Sequence, residues 1–260
     1  MPLDIRTYHE LTGRDRSGLP EQIGAQRRRV AERLSGVRRV VAVMSGKGGV
    51  GKSYATAALA RALARRGQPV GVLDADLNGP TVARLLSAAD GRLVLQADAV
   101  VPVTGADGVK LVSMAQLLQA GQPLAFRGPA AESHVWREAL EAAALREFLA
   151  DVAWGALELL LVDLPPGIQR LRELAELLPR PPAVLAVTIP TPESEDAVRR
   201  ALTAARDCGA PCLGVVENMA GGPFTGDAGA VLAQEFGVPL LARIPWHPGP
   251  DTWDVLAARL

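Results

Sequence analysis

The chain has 260 residues, of which 48% are hydrophobic, and its 28 basic and 28 acidic side chains balance to zero formal charge. That length suits one α/β domain or two small ones with a large core. The charge balance disfavours a dedicated nucleic-acid binder, whose footprint is basic, and two cysteines make no disulfide framework but suit a reducing cytoplasm. No apolar run approaches the roughly 18 residues that cross a bilayer. The opening MPLDIRTYHE lacks the apolar centre of a signal peptide. A soluble cytoplasmic protein is expected, with neither nucleic acid nor membrane among its partners.

Residues 1–38 differ in character from the rest of the chain. LPEQIGAQRRRVAERL predicts a helix with a narrow apolar stripe, Ile23, Val30 and Leu34, and an arginine cluster at 27–29. A solvated helix on the sheet edge is the plain reading, and a partner or membrane-surface contact is the alternative. From residue 39 onward, apolar runs alternate with helical patterns. Strands are expected at 40–44, 70–74, 109–114, 157–163, 183–189, 212–216 and 239–244. Several are apolar on both faces, as in strands sandwiched between helix layers. Helices are expected at 52–66, 80–88, 132–151, 168–178, 194–208, 226–236 and 250–260. Strand and helix in alternation mean an α/β fold, a doubly wound and mostly parallel sheet with helices on both faces. The division is then an arginine-rich helical extension over 1–38 and one domain over 39–260.

The most informative stretch is GKGGVGKSY at 46–54. Gly46-x4-Gly51-Lys52-Ser53 satisfies the phosphate-loop pattern, and it follows an apolar strand and opens an alanine-rich helix. Glycines at 46, 48, 49 and 51 allow successive N–H groups to converge on phosphate oxygens, helped by the positive end of the helix dipole. Lys52 would neutralise the β and γ phosphates and Ser53 would ligate Mg²⁺. Lys47 is the unusual residue. The chain has only three lysines, with Lys110 the third, and its other 25 basic residues are arginines. Ammonium is a compact point charge and guanidinium a bulky fork, so lysine at 47 implies a site that admits only the smaller group.

Other chemistry-bearing residues fall at strand ends, where open α/β sheets bind ligands. LDADLNGP places Asp74 and Asp76 just past the second strand, one carboxylate to orient a water and one to hold the metal's water shell. LLLVDLPPG places Asp163 to reach Mg²⁺ through water, with Pro165, Pro166 and Gly167 in a stiff turn that could feel a γ-phosphate. GVVENMA ends a strand with Asn218, whose amide can both donate to and accept from an adenine edge. An ordinary turn-forming role is the alternative there. IPWHP ends the last strand, and the backbone about Pro245 would form the other wall of the base pocket.

GKGGVGKS resembles the deviant Walker A loop of MinD/ParA P-loop ATPases. SGKGGVGKS, LDADLNGP, FRGP, VDLPPG, VENM and IPWHP in this order resemble the Mrp/ApbC branch, described as ATP-dependent iron–sulfur cluster carriers. The resemblance covers residues 38–248 and implies a P-loop ATPase domain over 39–260. It implies that Gly48, Gly49, Val50, Gly51, Lys52, Ser53 and Tyr54 bind ATP with Asn218 and Pro245, and that Ser53 and Asp163 hold Mg²⁺. It further implies Lys47 reaching the partner subunit's phosphates in an ATP-dependent homodimer, Asp76 near the hydrolytic water, and an iron–sulfur apoprotein as client. Arg127, in FRGP, matches a basic loop position without an assignable role.

Three departures accompany the resemblance. Cluster carriers of this branch place a Cys-x-x-Cys pair after ENM so that two subunits supply four thiolates, whereas ENMAGGPFTGDAG has no cysteine. Cys208 and Cys212, spaced C-x3-C, are weak substitutes. They flank the start of the strand that ends near the motif, and a structural role as small hydrophobes is the simpler reading. His9, His134 and His247 are isolated in sequence and are not read as ligands. Ile168-Gln169-Arg170 stands where the family commonly has Thr-Gly-Asp after DLPPG, so slow hydrolysis is expected. Tyr54 replaces a small hydroxyl residue. Against an Mrp-type ATPase stand two alternatives, a MinD/ParA-like spatial organiser and an ATP-responsive adaptor with slow turnover.

Overall fold

All seven long strands expected from the apolar runs form, and they lie in one sheet. The computed structural model describes residues 19–77, 79–117, 134–249 and 251–260, without the side chains of 19–20 and 134–140. Arg127 and the FRGP stretch, like His9 and the side chain of His134, therefore lie outside the described residues. In chain order the strands are β1 Val37–Met44, β2 Val70–Asp74, β3 Val94–Gln96, β4 Ala99–Val101, β5 Val103–Thr104, β6 Lys110–Ser113, β7 Leu157–Asp163, β8 Ala183–Thr188, β9 Cys212–Ala220 and β10 Leu240–Pro245. The helices are α1 Leu19–Arg33, α2 Lys52–Arg65, α3 Val82–Leu85, α4 His134–Asp151, α5 Gln169–Leu177, α6 Pro192–Asp207, α7 Ala228–Phe236 and α8 Thr252–Ala257.

The sheet runs β10-β9-β8-β1-β7-β2-β6-β5, parallel except for β5, which pairs antiparallel with β6 at the edge. β3 and β4 form a separate antiparallel hairpin. Strands of two or three residues carry no readable period, which is why β3, β4 and β5 are invisible in the sequence.

Strand residues alternate between two cores, as the pleat requires. Ala42, Met44, Leu160 and Val162 face one side, with Leu145 and Leu149 of α4, Leu171 of α5, Leu202 of α6 and Leu232 of α7. Val41, Val43, Leu159 and Leu161 face the other, with Leu59 and Leu63 of α2 and Trp253 and Leu256 of α8.

The N-terminal helix departs from expectation. It does not sit on the sheet edge but packs across α4, with Val30 fully buried and Leu34 nearly so in the first core. Ile23, expected in the same stripe, is 49% exposed. Arg29 pairs with Asp151 at 2.8 Å, and Arg33 donates to the Ala150 carbonyl at 3.3 Å and to Asp98 at 2.9 Å. The arginine cluster is thus partly a tether to the body of the fold.

β1 and β8 are neighbours, and the chain leaves β1 toward β2 on one side and β8 toward β9 on the other. The crevice beyond the carboxyl ends of the strands at such a reversal is where open α/β sheets place ligands. Residues 45–51 occupy that position.

Candidate functional site

The loop leaving β1 is pressed against α6. A Cβ on Gly46 would lie 2.1 Å from the Ala197 backbone carbonyl carbon, a distance no side chain tolerates, so only glycine fits. Gly51 caps α2 in the left-handed region, φ 79°, and a Cβ there would meet the Asn218 amide nitrogen at 2.3 Å. Asn218 Nδ2 in turn donates to the Val50 carbonyl at 2.9 Å. β9 continues to Ala220, four residues further than the sequence suggested, so Asn218 lies in the strand and braces the loop. Met219, next to it, has φ 59°, a left-handed conformation uncommon for a residue with a Cβ.

Asp163, the last residue of β7, is fully buried and collects three side chains of α2. Lys52 Nζ lies 2.8 Å from Oδ1, Thr56 Oγ1 donates to Oδ1 at 2.8 Å, and Ser53 Oγ donates to Oδ2 at 2.6 Å. Lys52 is itself 6% exposed. The helix positions these groups because residues 52, 53 and 56 share one end of α2, with 56 one turn beyond 52 and 53. Thr56 was not singled out from the sequence. Its signal was there: a hydroxyl residue one turn beyond Ser53 in a helix otherwise lined with alanine. The hydroxyl of Ser53 and the carboxylate of Asp163 are hard oxygen donors side by side, the donor set that Mg²⁺ takes through few direct bonds and several waters.

Asp74 lies in the neighbouring strand, in register with Asp163, and ends β2 rather than following it. Its fully buried carboxylate accepts from the backbone N–H groups of Asp76 at 3.3 Å and Val82 at 3.1 Å and from the Ser113 hydroxyl at 3.1 Å. Burial, followed by repulsion from Asp163, pushes its pKa up to about 7 against the opposing hydrogen bonds. The folded protein therefore holds a proton that the unfolded chain releases near its ordinary pKa of 3.8. This site's stabilisation is full below about pH 4 and is lost as pH rises toward about 7. Asp74→Asn, neutral throughout, is expected to flatten that decline in denaturant midpoints measured across this range. Asp76, half-buried on the loop beyond, accepts from Gly79 N–H at 3.3 Å.

Lys47 is half-buried, with Nζ 3.4 Å from Thr191 Oγ1 at the start of α6. Nearby Glu193 is held below the usual carboxylate range, chiefly by its own backbone N–H and then by the Thr191 hydroxyl, with the Lys47 charge contributing least. Pro245 ends β10 beside Ala220, exposed at the same end of the sheet. Tyr54 is 45% exposed and meets Trp253 of α8 edge-on, ring centroids 5.8 Å apart. The Ile168-Gln169-Arg170 departure is ordered by packing. Arg170 is 7% exposed and pairs with Glu141 of α4 and Glu173 of α5.

A family model described as "NUBPL iron-transfer P-loop NTPase" matches residues 36–252. The chain belongs to that family. It is 34% identical over 246 residues to an iron-sulfur cluster carrier protein of Saccharolobus solfataricus, covering 90% of this chain and 80% of that one. It is 39% identical over 231 residues to the human cytosolic Fe-S cluster assembly factor NUBP2, covering 83% and 82%. Among solved structures, a nucleotide-binding protein from Archaeoglobus fulgidus in complex with ADP matches with TM-score 0.71 and 31% identity, over 90% of this chain and 92% of that one. The septum site-determining protein MinD from Pyrococcus horikoshii, complexed with Mg-ADP, shares the fold at TM-score 0.60 and 20% identity, over 84% and 94%. This NUBPL-type chain is thus an iron–sulfur cluster carrier homologue on a MinD/ParA-like P-loop NTPase fold, and an ATPase by homology.

The two cysteines lie far from the segment after Asn218 where the family resemblance would place cluster ligands. Cys208 caps the end of α6 and Cys212 opens β9, while Asn218 and Met219 lie toward the other end of that strand. At ~3.3 Å per residue the separation from Cys212 is roughly 20 Å. Cys212 is half-buried, and burial pushes its thiol pKa up, away from the thiolate that metals require. Among the described residues no group of three or more His, Cys, Asp or Glu side chains is placed to hold a metal ion. No described helix is long and apolar enough to cross a membrane.

Proposed function

We propose that this chain is a Mg²⁺-dependent ATPase that acts as an ATP-gated homodimer in iron–sulfur cluster assembly or transfer, without holding a cluster on its own cysteines. The observation that carries the reading is the convergence of Lys52, Ser53 and Thr56 on the buried carboxylate of Asp163 beneath a glycine-lined loop. Lys52 would exchange that carboxylate for the β and γ phosphates. Ser53 would bind Mg²⁺ directly and Asp163 through water. Gly48 to Ser53 would give backbone N–H groups to the phosphates, and Asn218 and the Pro245 backbone would flank adenine. Asp76 would orient the attacking water, and Lys47 would leave Thr191 for the partner's triphosphate. The ADP held by the Archaeoglobus relative and the Mg-ADP held by the Pyrococcus protein support this reading. So do the names of the relatives, carrier and assembly factor, which make an iron–sulfur apoprotein the expected client.

A second reading, an ATP-responsive adaptor with slow hydrolysis, is favoured by one observation. The turn after Asp163 carries an arginine committed to Glu141 and Glu173 where the family commonly has polar residues near the γ-phosphate. A membrane-bound organiser is less well supported. α8 is six residues long, and its Asp254 is paired with Arg65 at 3.0 Å, a poor anchor for anionic lipid.

Size-exclusion chromatography with light scattering tests the gate. The protein is expected to elute as a monomer alone and as a dimer with Mg²⁺ and a slowly hydrolysed ATP analogue. A monomer under both conditions overturns the homodimer. The same protein purified anaerobically is expected to carry iron and sulfide well below one cluster per dimer. A stoichiometric cluster would overturn the assignment of its cysteines.

A further inference from the structure

The phosphate-loop end of α2 opens onto a cleft that the phosphate chemistry does not use. One wall is a stripe of α2, Tyr54, Ala58 and Arg61, spaced so that they share a helix face. The opposite wall comes from the chain after β10, Pro248 and Gly249, and from Trp253 of α8. The charges at the far end are already matched within the chain, Arg61 to Asp107 at 2.6 Å and Arg65 to Asp254 at 3.0 Å. Asp251 also lines the cleft, so its head pairs the Tyr54 and Trp253 rings with one acidic side chain, a surface for a flat ring rather than for an anion.

Its place is informative. Tyr54 directly follows Ser53 and lies three residues beyond Gly51, the same helix face that meets Asn218. With phosphates on the loop, a base set beside Asn218 and the Pro245 backbone would lie next to the first turn of α2, one turn from Tyr54. Trp253 is 5% exposed, and its indole N–H has no partner among the described residues. The indole ring is therefore held by packing, and its contact fixes the plane of the tyrosine. Nearly half of Tyr54 stays uncovered.

We propose that Tyr54, positioned by Trp253, is the wall on which the base of the bound nucleotide stacks, giving this chain a preference for purine over pyrimidine nucleotides. This rests on the phosphate-loop reading and adds to it a specificity residue that the family's small hydroxyl at this position does not supply. A purine offers the larger stacking area, and stacking of a base on an aromatic side chain corresponds to about 5- to 150-fold in affinity.

Isothermal titration with ATP, CTP and inorganic tripolyphosphate, on the full chain and on Tyr54→Ser and Tyr54→Phe, tests it. The unaltered chain is expected to bind ATP more tightly than CTP. Tyr54→Ser is expected to weaken ATP by about 5- to 150-fold and to narrow the ratio of ATP to CTP. Tripolyphosphate should bind as before, which also shows that the loop is intact, and Tyr54→Phe should behave like the parent. An ATP affinity within twofold of the parent in Tyr54→Ser overturns the proposal. So does a loss of tripolyphosphate binding in step with ATP, which would mean damage to the loop rather than a lost base contact. If the unaltered chain binds neither ATP nor tripolyphosphate, the phosphate-loop reading itself falls and takes this inference with it.

Discussion

Replacing Lys52 by alanine is expected to remove nearly all measurable ATP affinity and to lower stability at the same time. The ammonium is almost fully buried and lies 2.8 Å from a carboxylate with no exposure at all. Truncating one member of a buried, hydrogen-bonded charge pair costs about 2–5 kcal/mol in binding, or roughly 30- to 5000-fold. In the phosphate complex that loss falls on the contacts to the β and γ phosphates. Without nucleotide, Asp163 keeps the hydroxyls of Ser53 and Thr56 but loses its counter-charge, and breaking such a pair destabilises a fold by about 3–5 kcal/mol. Calorimetric titration and a thermal melt read the two effects separately. Binding of ATP by Lys52→Ala within tenfold of the parent would mean that the loop does not hold the triphosphate as described.

Lys47→Ala is expected to divide the behaviour differently, leaving each subunit's ATP affinity within about threefold and abolishing the ATP-dependent dimer. Among the described residues half-buried Lys47 makes one long hydrogen bond, 3.4 Å to a neutral hydroxyl, and a weak attraction to Glu193, so little intrachain energy opposes its leaving. A hydrogen bond to a charged group contributes about 1.5–3 kcal/mol. A twofold-symmetric interface repeats every contact, so two such bonds vanish together and dimer affinity should fall by about 10²- to 10⁴-fold. Light scattering across a concentration series with the slowly hydrolysed analogue measures the change. Normal dimerisation of the variant would show that this lysine serves its own subunit only.

The parts of the fold that were legible in the sequence were those with a period. Seven apolar runs became seven strands of one sheet, with ends mostly within a few residues of those expected, because strands buried on both faces leave unbroken hydrophobic runs. The phosphate loop was legible because its glycines answer to backbone geometry that few other residues can adopt, as Gly46 against Ala197 illustrates. Pairings across the sheet were not legible. That Asp74 and Asp163 are register partners depends on β7 returning between β1 and β2, which no local pattern encodes. Thr56 was passed over because one hydroxyl in a helix is ordinary until the strand facing it is known. Ile23 misled for the converse reason. It continues an apolar stripe, but it stays half exposed while Val30 and Leu34 are buried in the core. Tyr54 stood out only as an oddity until α8 brought Trp253 against it.

The ion pair between Arg170 and Glu141 ties the segment after Asp163 to α4. Gly167 N–H bonds to the Ser45 carbonyl at 3.3 Å, so the near end of this segment is fastened at the edge of the nucleotide loop. Its far end is bolted to a helix of 18 residues, a rod about 27 Å long. A displacement imposed on the two prolines would meet this contact first, so the turn and the helix would be expected to move together.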